Sequence, residues 1–330
     1  MPDVRTAPPS GPTGAKAMNG LWNSRYFEMT ARSNGQAYRI FVGGPAAPFL
    51  GGQEAGRRLP VIYVLDGKLN FAMVHAQVEI LSAMGQLPPA YVVGIAYAGD
   101  ESFFEKDGFL RQGDLTPNAG GRLEADMKAM NRAQGVTHGG GAAFLAFLQQ
   151  ELRPQLEDAF PIAGDDATLL GNSLGGLFPS WVLLHRPELF QRYVIVSPSW
   201  WWNDYEIWKW EANYAACHHD LKAKAFFTFG GLETADRHRD IAVRAATLSD
   251  GEAKAALQRT IAISDERGWM RGAELIAPFA EKLASRRYPG LDMTALVLPE
   301  ETHESIPAVG FSRGLRAVFG AWKPGGQRAA

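Results

Sequence analysis

The sequence predicts an α/β fold, a three-layer α/β/α sandwich around a mostly parallel sheet with an antiparallel hairpin at its N-terminal end. Two observations carry this expectation. Short apolar runs alternate with amphipathic stretches of helical length over most of the chain, the pattern of βαβ units. Ahead of them stand two alternating segments joined by a turn signal, the pattern of a hairpin.

The elements follow in order. Arg25–Arg32 and Gln36–Gly43 alternate apolar and polar residues around Ser33-Asn34-Gly35 and predict the hairpin. Leu59–Leu65 and Tyr91–Tyr97 are almost wholly apolar, as strands covered on both faces must be. Between them Leu69–Met84 has helical spacing. Gly141–Phe160 reads as a long amphipathic helix, Thr168–Leu170 as a short strand, and Gly175–His185 as a helix. Strands are predicted at Tyr193–Val196, Phe226–Phe229 and Met293–Leu298, and helices at Met270–Arg286 and Ile306–Phe319. Residues 98–140 and 237–267 interrupt the alternation as insertions, the first polar and glycine-rich, the second helical in pattern. Residues 1–20, rich in Pro, Gly and Ala, read as a flexible tail, leaving 21–330 as one domain.

Composition narrows the function. Hydrophobic residues make up 46% of the 330-residue chain, enough for a buried core, and the net charge is −2. That balance gives no electrostatic footprint for nucleic acid or an anionic membrane. No apolar run has the length of a bilayer span, and the N-terminus lacks the apolar core of a secretion signal. Cys217 is the single cysteine, so neither a disulfide framework nor a thiolate metal site is available. We expect a cytoplasmic protein.

The strongest local signal is Gly171-Asn172-Ser173-Leu174-Gly175. It matches G-x-S-x-G between a predicted strand and a predicted helix, the context of the nucleophile elbow of α/β-hydrolases. The turn is tight enough to strain the backbone of Ser173. Glycines flanking it remove side chains that would collide, and Gly176 allows close helix packing. The serine hydroxyl is thereby presented above the carboxyl edge of the sheet, where open α/β sheets bind ligands.

A serine needs a base to remove its proton. In this fold the order is serine, acid, histidine. His303 lies just past the last predicted strand. His75, His138 and His185 fall in the wrong order or flank the elbow, and His218, His219 and His238 do not follow the last strand. The acid is expected after Phe226–Phe229, where Glu233 is the preferred candidate and Asp236 its rival. Glu233 has the alternative role of capping the next helix. The oxyanion hole is expected to use the backbone N–H of Leu174 and one N–H from the loop Asp66-Gly67-Lys68.

Several motifs together resemble one family. Tyr63–Gly67 (YVLDG), Arg111 with Asp114–Pro117 (DLTP), Gly171–Gly176 (GNSLGG), Ser197–Trp202 (SPSWWW) and His303-Glu304-Ser305 look like the Putative esterase family. It includes siderophore esterases of the enterobactin and salmochelin type and, more distantly, mycolyltransferases and S-formylglutathione hydrolase. The resemblance runs from about Arg25 to Phe319. It implies an α/β-hydrolase fold, ester hydrolysis, Ser173 as nucleophile, His303 as base, Glu233 as acid, and Lys68 N–H as the second oxyanion donor with Gly67 next. It also implies a place for Arg111 near the substrate end of the cleft. Trp200 and the length of 237–267 depart from the family pattern.

Three further expectations concern the pocket. Trp200, Trp201 and Trp202 follow a strand directly, and consecutive residues cannot all face one core, so we expect Trp201 to line an acyl or aryl pocket, with packing under a loop as the alternative. Arg111 either recognises a substrate carboxylate or pairs with Asp114. His218, His219 and Asp220 beside Cys217 do not have metal-site spacing, and no nucleotide motif is present, so no cofactor is expected. A small-molecule ester is the expected partner. Acyl transfer by the same three residues, a non-catalytic binding protein of this fold, and amide hydrolysis are the competing readings.

Overall fold

Hydrophobic period 2 and period 3.6 alternate along the chain as the sequence implies, and the computed structural model describes residues 16–17, 21–45, 56–121, 125, 135–267 and 271–321. The strands among them are β1 (Lys16–Ala17), β2 (Ser24–Thr30), β3 (Ala37–Gly43), β4 (Leu59–Val64), β5 (Tyr91–Tyr97), β6 (Ile162–Asn172), β7 (Arg192–Val196), β8 (Ala223–Gly230) and β9 (Leu291–Leu298). The principal helices are α1 (Gly67–Ala83), α2 (Gly108–Asp114), α3 (Gly141–Phe147, widened over Leu148–Leu152, then Arg153–Ala159) and α4 (Leu174–Leu183). They continue as α5 (Ile207–Cys217), α6 (Ala235–Thr247), α7 (Gly251–Arg267), α8 (Ala273–Ser285) and α9 (Ile306–Val318). The expected tail lies outside the described residues except for 16–17, as do Met270 and, within the first insertion, 122–124 and 126–134.

The chain divides into two compact units, the first formed by Met1–Gly108 and Ala142–Leu169. Its strand order is β1-β2-β3-β5-β4-β6. β2 and β3 are antiparallel, with Phe27 opposite Ile40. Gly35 (φ 72°) supplies the left-handed residue of their turn. β3 also pairs antiparallel with β5, and β5 pairs parallel with β4. Side chains alternate along β3. Tyr38 therefore meets Phe147 of α3 at a ring separation of 4.4 Å, while Phe41, on the other face, stacks on Phe71 of α1 at 5.2 Å. Helices thus cover both faces, which is why Val61–Val64 and Val92–Val93 are wholly buried and read as continuous apolar runs.

The second unit holds Phe109–Gly141 and Leu170–Ala330. The end of β6 leads into the order β6-β7-β8-β9. β7, β8 and β9 are parallel, with Val196 beside Thr228 and Thr228 beside Leu296. Gly310 and Gly314, four apart on α9, let that helix lie against Val196, Thr228, Val194 and Phe226. The alternate residue Phe227 faces away from α9 and packs on Phe279 of α8 at 5.6 Å. This unit too is helix, sheet, helix. The fold is the α/β arrangement expected.

Several elements add to or differ from the sequence reading. β6 is eleven residues long where three were expected. Its first half carries Gly164, Asp165 and Asp166 at half-buried to exposed positions, and backbone pairing does not require apolar side chains there. The second insertion forms two helices, α6 and α7. Helix α5 was not anticipated. Its buried residues Ile207, Trp210, Glu211 and Tyr214 have helical spacing, but the apolar stripe is interrupted by Glu211, which is buried and paired with Arg286 at 2.7 and 3.0 Å. No helix among the described residues is long and apolar enough to cross a membrane.

Candidate active site

Ser173 stands between β6 and α4 with φ 61° and ψ −126°. A non-glycine residue held there stores about 1–3 kcal/mol, and the neighbours show what holds it. Its N–H donates to the carbonyls of Val196 and Ser197, each at 3.2 Å, and its own carbonyl accepts from Ser199 N–H at 3.0 Å. A Cβ on Gly171 would collide with the carbonyl of Gly175, and one on Gly176 would meet Pro198 Cα at 2.9 Å. The glycine pattern is therefore required by close approach of backbone to backbone. Leu174 is the first residue of α4, so its N–H has no intrahelical acceptor. The Arg111 guanidinium, buried in the same unit, donates to the carbonyl of Asn172 at 3.3 Å, one residue before the serine.

The acid and the histidine meet at the carboxyl ends of β8 and β9. Glu233 is 3% exposed. Its Oε1 accepts from Gly230 N–H at 2.7 Å and from the Ser197 hydroxyl at 2.5 Å. Its Oε2 accepts from His303 Nδ1 at 2.6 Å. A carboxylate acceptor fixes the proton on Nδ1, which leaves Nε2 with a lone pair in the neutral ring. The two loops that carry these residues are joined through the backbone. Gly231 N–H donates to Leu298 O at 2.7 Å, and Leu232 N–H donates to Glu301 O at 3.1 Å. A side chain on Gly230 would strike the Glu301 carbonyl, so the Gly-Gly pair is what lets the acid loop reach the histidine loop. Next to His303, burial raises the Glu304 carboxyl, but its hydrogen bond with Thr302, reinforced by His303 and Arg237, holds it below the usual range.

Asp236 occupies the first turn of α6, exposed. The cap of that helix is Thr234, whose hydroxyl accepts from Arg237 N–H at 3.3 Å, so Glu233 is not the capping residue. Ser173 and His303 make no hydrogen bond with each other in this structure; such contacts often tighten only with substrate present. Lys68 and Gly67 belong to the first unit, at the start of α1, after Asp66 in a left-handed conformation (φ 55°, ψ 51°). Their N–H groups also fall in a first helical turn. The Lys68 side chain is held by Asp107 at 2.7 Å and by the Glu101 carbonyl at 2.8 Å.

Of the three tryptophans, Trp200 is buried against Phe229 and Phe279 and donates to Ser180 Oγ at 2.9 Å. Trp202 is buried and donates to Asn118 Oδ1 at 2.9 Å. Trp201 is the one left half-buried. His218 stacks on Tyr214 with ring centroids 4.1 Å apart, and among the described residues no three His, Cys, Asp or Glu side chains are grouped to hold a metal. Sequence reasoning missed Ser197. It sits in the Ser-Pro-Ser run just past the carboxyl end of β7, where one serine carries no periodic or catalytic-motif signal.

Strand order, elbow and strand-end loops define an α/β-hydrolase fold. A structure of a BES protein from Bacillus cereus superimposes with a TM-score of 0.66 at 25% identity, over 92% of this chain and 97% of that one. The Putative esterase profile matches residues 49–284, and the chain belongs to that family. Among curated proteins, the ferri-bacillibactin esterase of Bacillus subtilis is 35% identical over 53% of this chain and 58% of its own length. The siderophore triacetylfusarinine C esterase of Aspergillus fumigatus is 30% identical over 56% of this chain and 58% of its own length. The chain thus spans less than two thirds of the length of these curated relatives.

Proposed function

We propose that the chain is a serine carboxylic-ester hydrolase in which Ser173 attacks, His303 is the general base and Glu233 orients it. The observation that carries this reading is the Glu233 carboxylate, buried and bound to His303 Nδ1, in the unit that also holds the strained Ser173. His303 Nε2 takes the serine proton as Ser173 attacks the ester carbonyl. The N–H group of Leu174, free of an intrahelical acceptor at the start of α4, receives the oxyanion. The alcohol leaves with the proton from His303, and water, activated by the same ring, releases the acyl group. Trp201 lines the acyl or aryl side of the pocket. Arg111 acts near the substrate end; its bond to the Asn172 carbonyl supports an added role in holding the elbow.

We infer a siderophore ester as the substrate class, since the named relatives share that description. The exposed free Cys217 supports a reducing, cytoplasmic setting, and the net charge of −2 supports a small-molecule partner over nucleic acid or a membrane. We treat 21–330 as one catalytic domain, because the family match reaches into both compact units.

The test is hydrolysis of p-nitrophenyl butyrate and of triacetylfusarinine C by wild type and Ser173→Ala. Loss of the nucleophile lowers turnover by roughly 10⁴–10⁶. Equal rates for the two proteins would remove Ser173 from the mechanism. Cleavage of the butyrate alone would keep the esterase and discard the siderophore class.

A further inference from the structure

Ser197 makes contacts that the three catalytic roles do not require. It is 2% exposed and adopts φ 41°, a left-handed conformation that favours glycine or asparagine over serine. Its N–H donates to Thr228 O at 2.7 Å, and its carbonyl accepts from Ser173 N–H at 3.2 Å. Its hydroxyl donates to Glu233 Oε1 at 2.5 Å. One residue beyond β7 therefore touches both the elbow and the acid.

We infer that Ser197 is a positioning residue that locks the Glu233 carboxylate for His303 while its backbone anchors Ser173. The inference rests on the esterase reading. A glutamate carboxylate turns about a broad terminal torsion, so one hydrogen bond to the histidine does not fix its plane. Two donors on Oε1, the Gly230 N–H and the Ser197 hydroxyl, hold that plane and leave Oε2 for Nδ1. The left-handed backbone aims the hydroxyl. Strain of this kind persists only where the surroundings over-determine it, and the bonds to Thr228 and Ser173 do so here.

The test compares Ser197→Ala and Ser197→Gly, each checked for wild-type circular dichroism and melting. Both remove the hydroxyl, but glycine accepts φ 41° without strain, so it keeps the experiment interpretable if the alanine variant folds poorly. We expect both to lower kcat about 10- to 100-fold, leave KM within about twofold, and shift the downfield Nδ1 proton resonance of His303. Wild-type kcat and an unmoved resonance in Ser197→Gly would overturn the inference, since the hydroxyl would then do nothing for the acid. The resonance is read without substrate. Failure of wild type to cleave esters would thus sink the esterase reading and still let the resonance decide the role of Ser197.

Discussion

The corner formed by Glu233 and His303 and the helical pair α6–α7 begin within a few residues of each other and are built in opposite ways. At the corner, a buried carboxylate takes bonds from a backbone N–H, a hydroxyl and an imidazole, and two glycines bring the loops into backbone contact. In the helical pair, the charges face solvent, as in Arg239–Asp265 and, separately, Arg259–Glu252, the latter at 2.7 Å. Exposed pairs of this kind contribute little, because water screens them and long side chains lose entropy. A carboxylate becomes useful for orientation when fixed backbone groups converge on it, and nearness in sequence does not supply that.

The largest test of this contrast sets the two acids side by side. Glu233→Gln is expected to lower kcat on p-nitrophenyl butyrate by about 10⁴, while Asp236→Asn stays within about twofold of wild type. Comparable losses in both would erase the distinction between corner and helix. The next test uses glycine. Gly230→Ala drives a methyl group against the Glu301 carbonyl and is expected to cost about 1–3 kcal/mol in urea denaturation. Gly251→Ala, at φ +56° with open space around it, costs about 1 kcal/mol from backbone strain alone.

A third carboxylate extends the comparison to the first unit. Glu151, its side chain 8% exposed, accepts from the backbone N–H groups of Arg32 and Ser33 at 2.8 and 3.0 Å. Burial raises its carboxyl, but these bonds outweigh burial and hold it below the usual range. The folded value lies below the unfolded one, so its contribution is present above the unfolded value and is lost as pH falls through the folded value. Glu151→Gln is therefore expected to lower the melting temperature at neutral pH and to flatten its fall in acid. Parallel melting curves for the two proteins would refute this. The smallest effect is expected from Arg239→Ala, which breaks the exposed pair with Asp265; its melting temperature should match wild type in both low and high salt.

Much of the fold is legible in the sequence. β5 runs over Tyr91–Tyr97, and β4 and α9 start where predicted, because strands and helices covered by apolar partners advertise themselves by period. The elbow was legible for a related reason: steric limits allow only glycine at 171 and 176. β6 and α5 were obscured where charged residues enter a paired strand or a buried helical stripe. Backbone pairing and a buried ion pair leave no hydrophobic trace.

By itself, the sequence determined the alternation of strand and helix, the hairpin, the place of the strained serine, and the order serine, acid, histidine. Those properties are local, set by periodicity and by which side chains a tight turn excludes. Only the tertiary structure decided that Glu233 rather than Asp236 bonds to His303, that Ser197 binds the same carboxylate, and that Arg111 reaches the Asn172 carbonyl. Each of these depends on which loops from separate strand ends come within hydrogen-bonding distance, and that is settled by packing between residues 36, 61 and 70 positions apart.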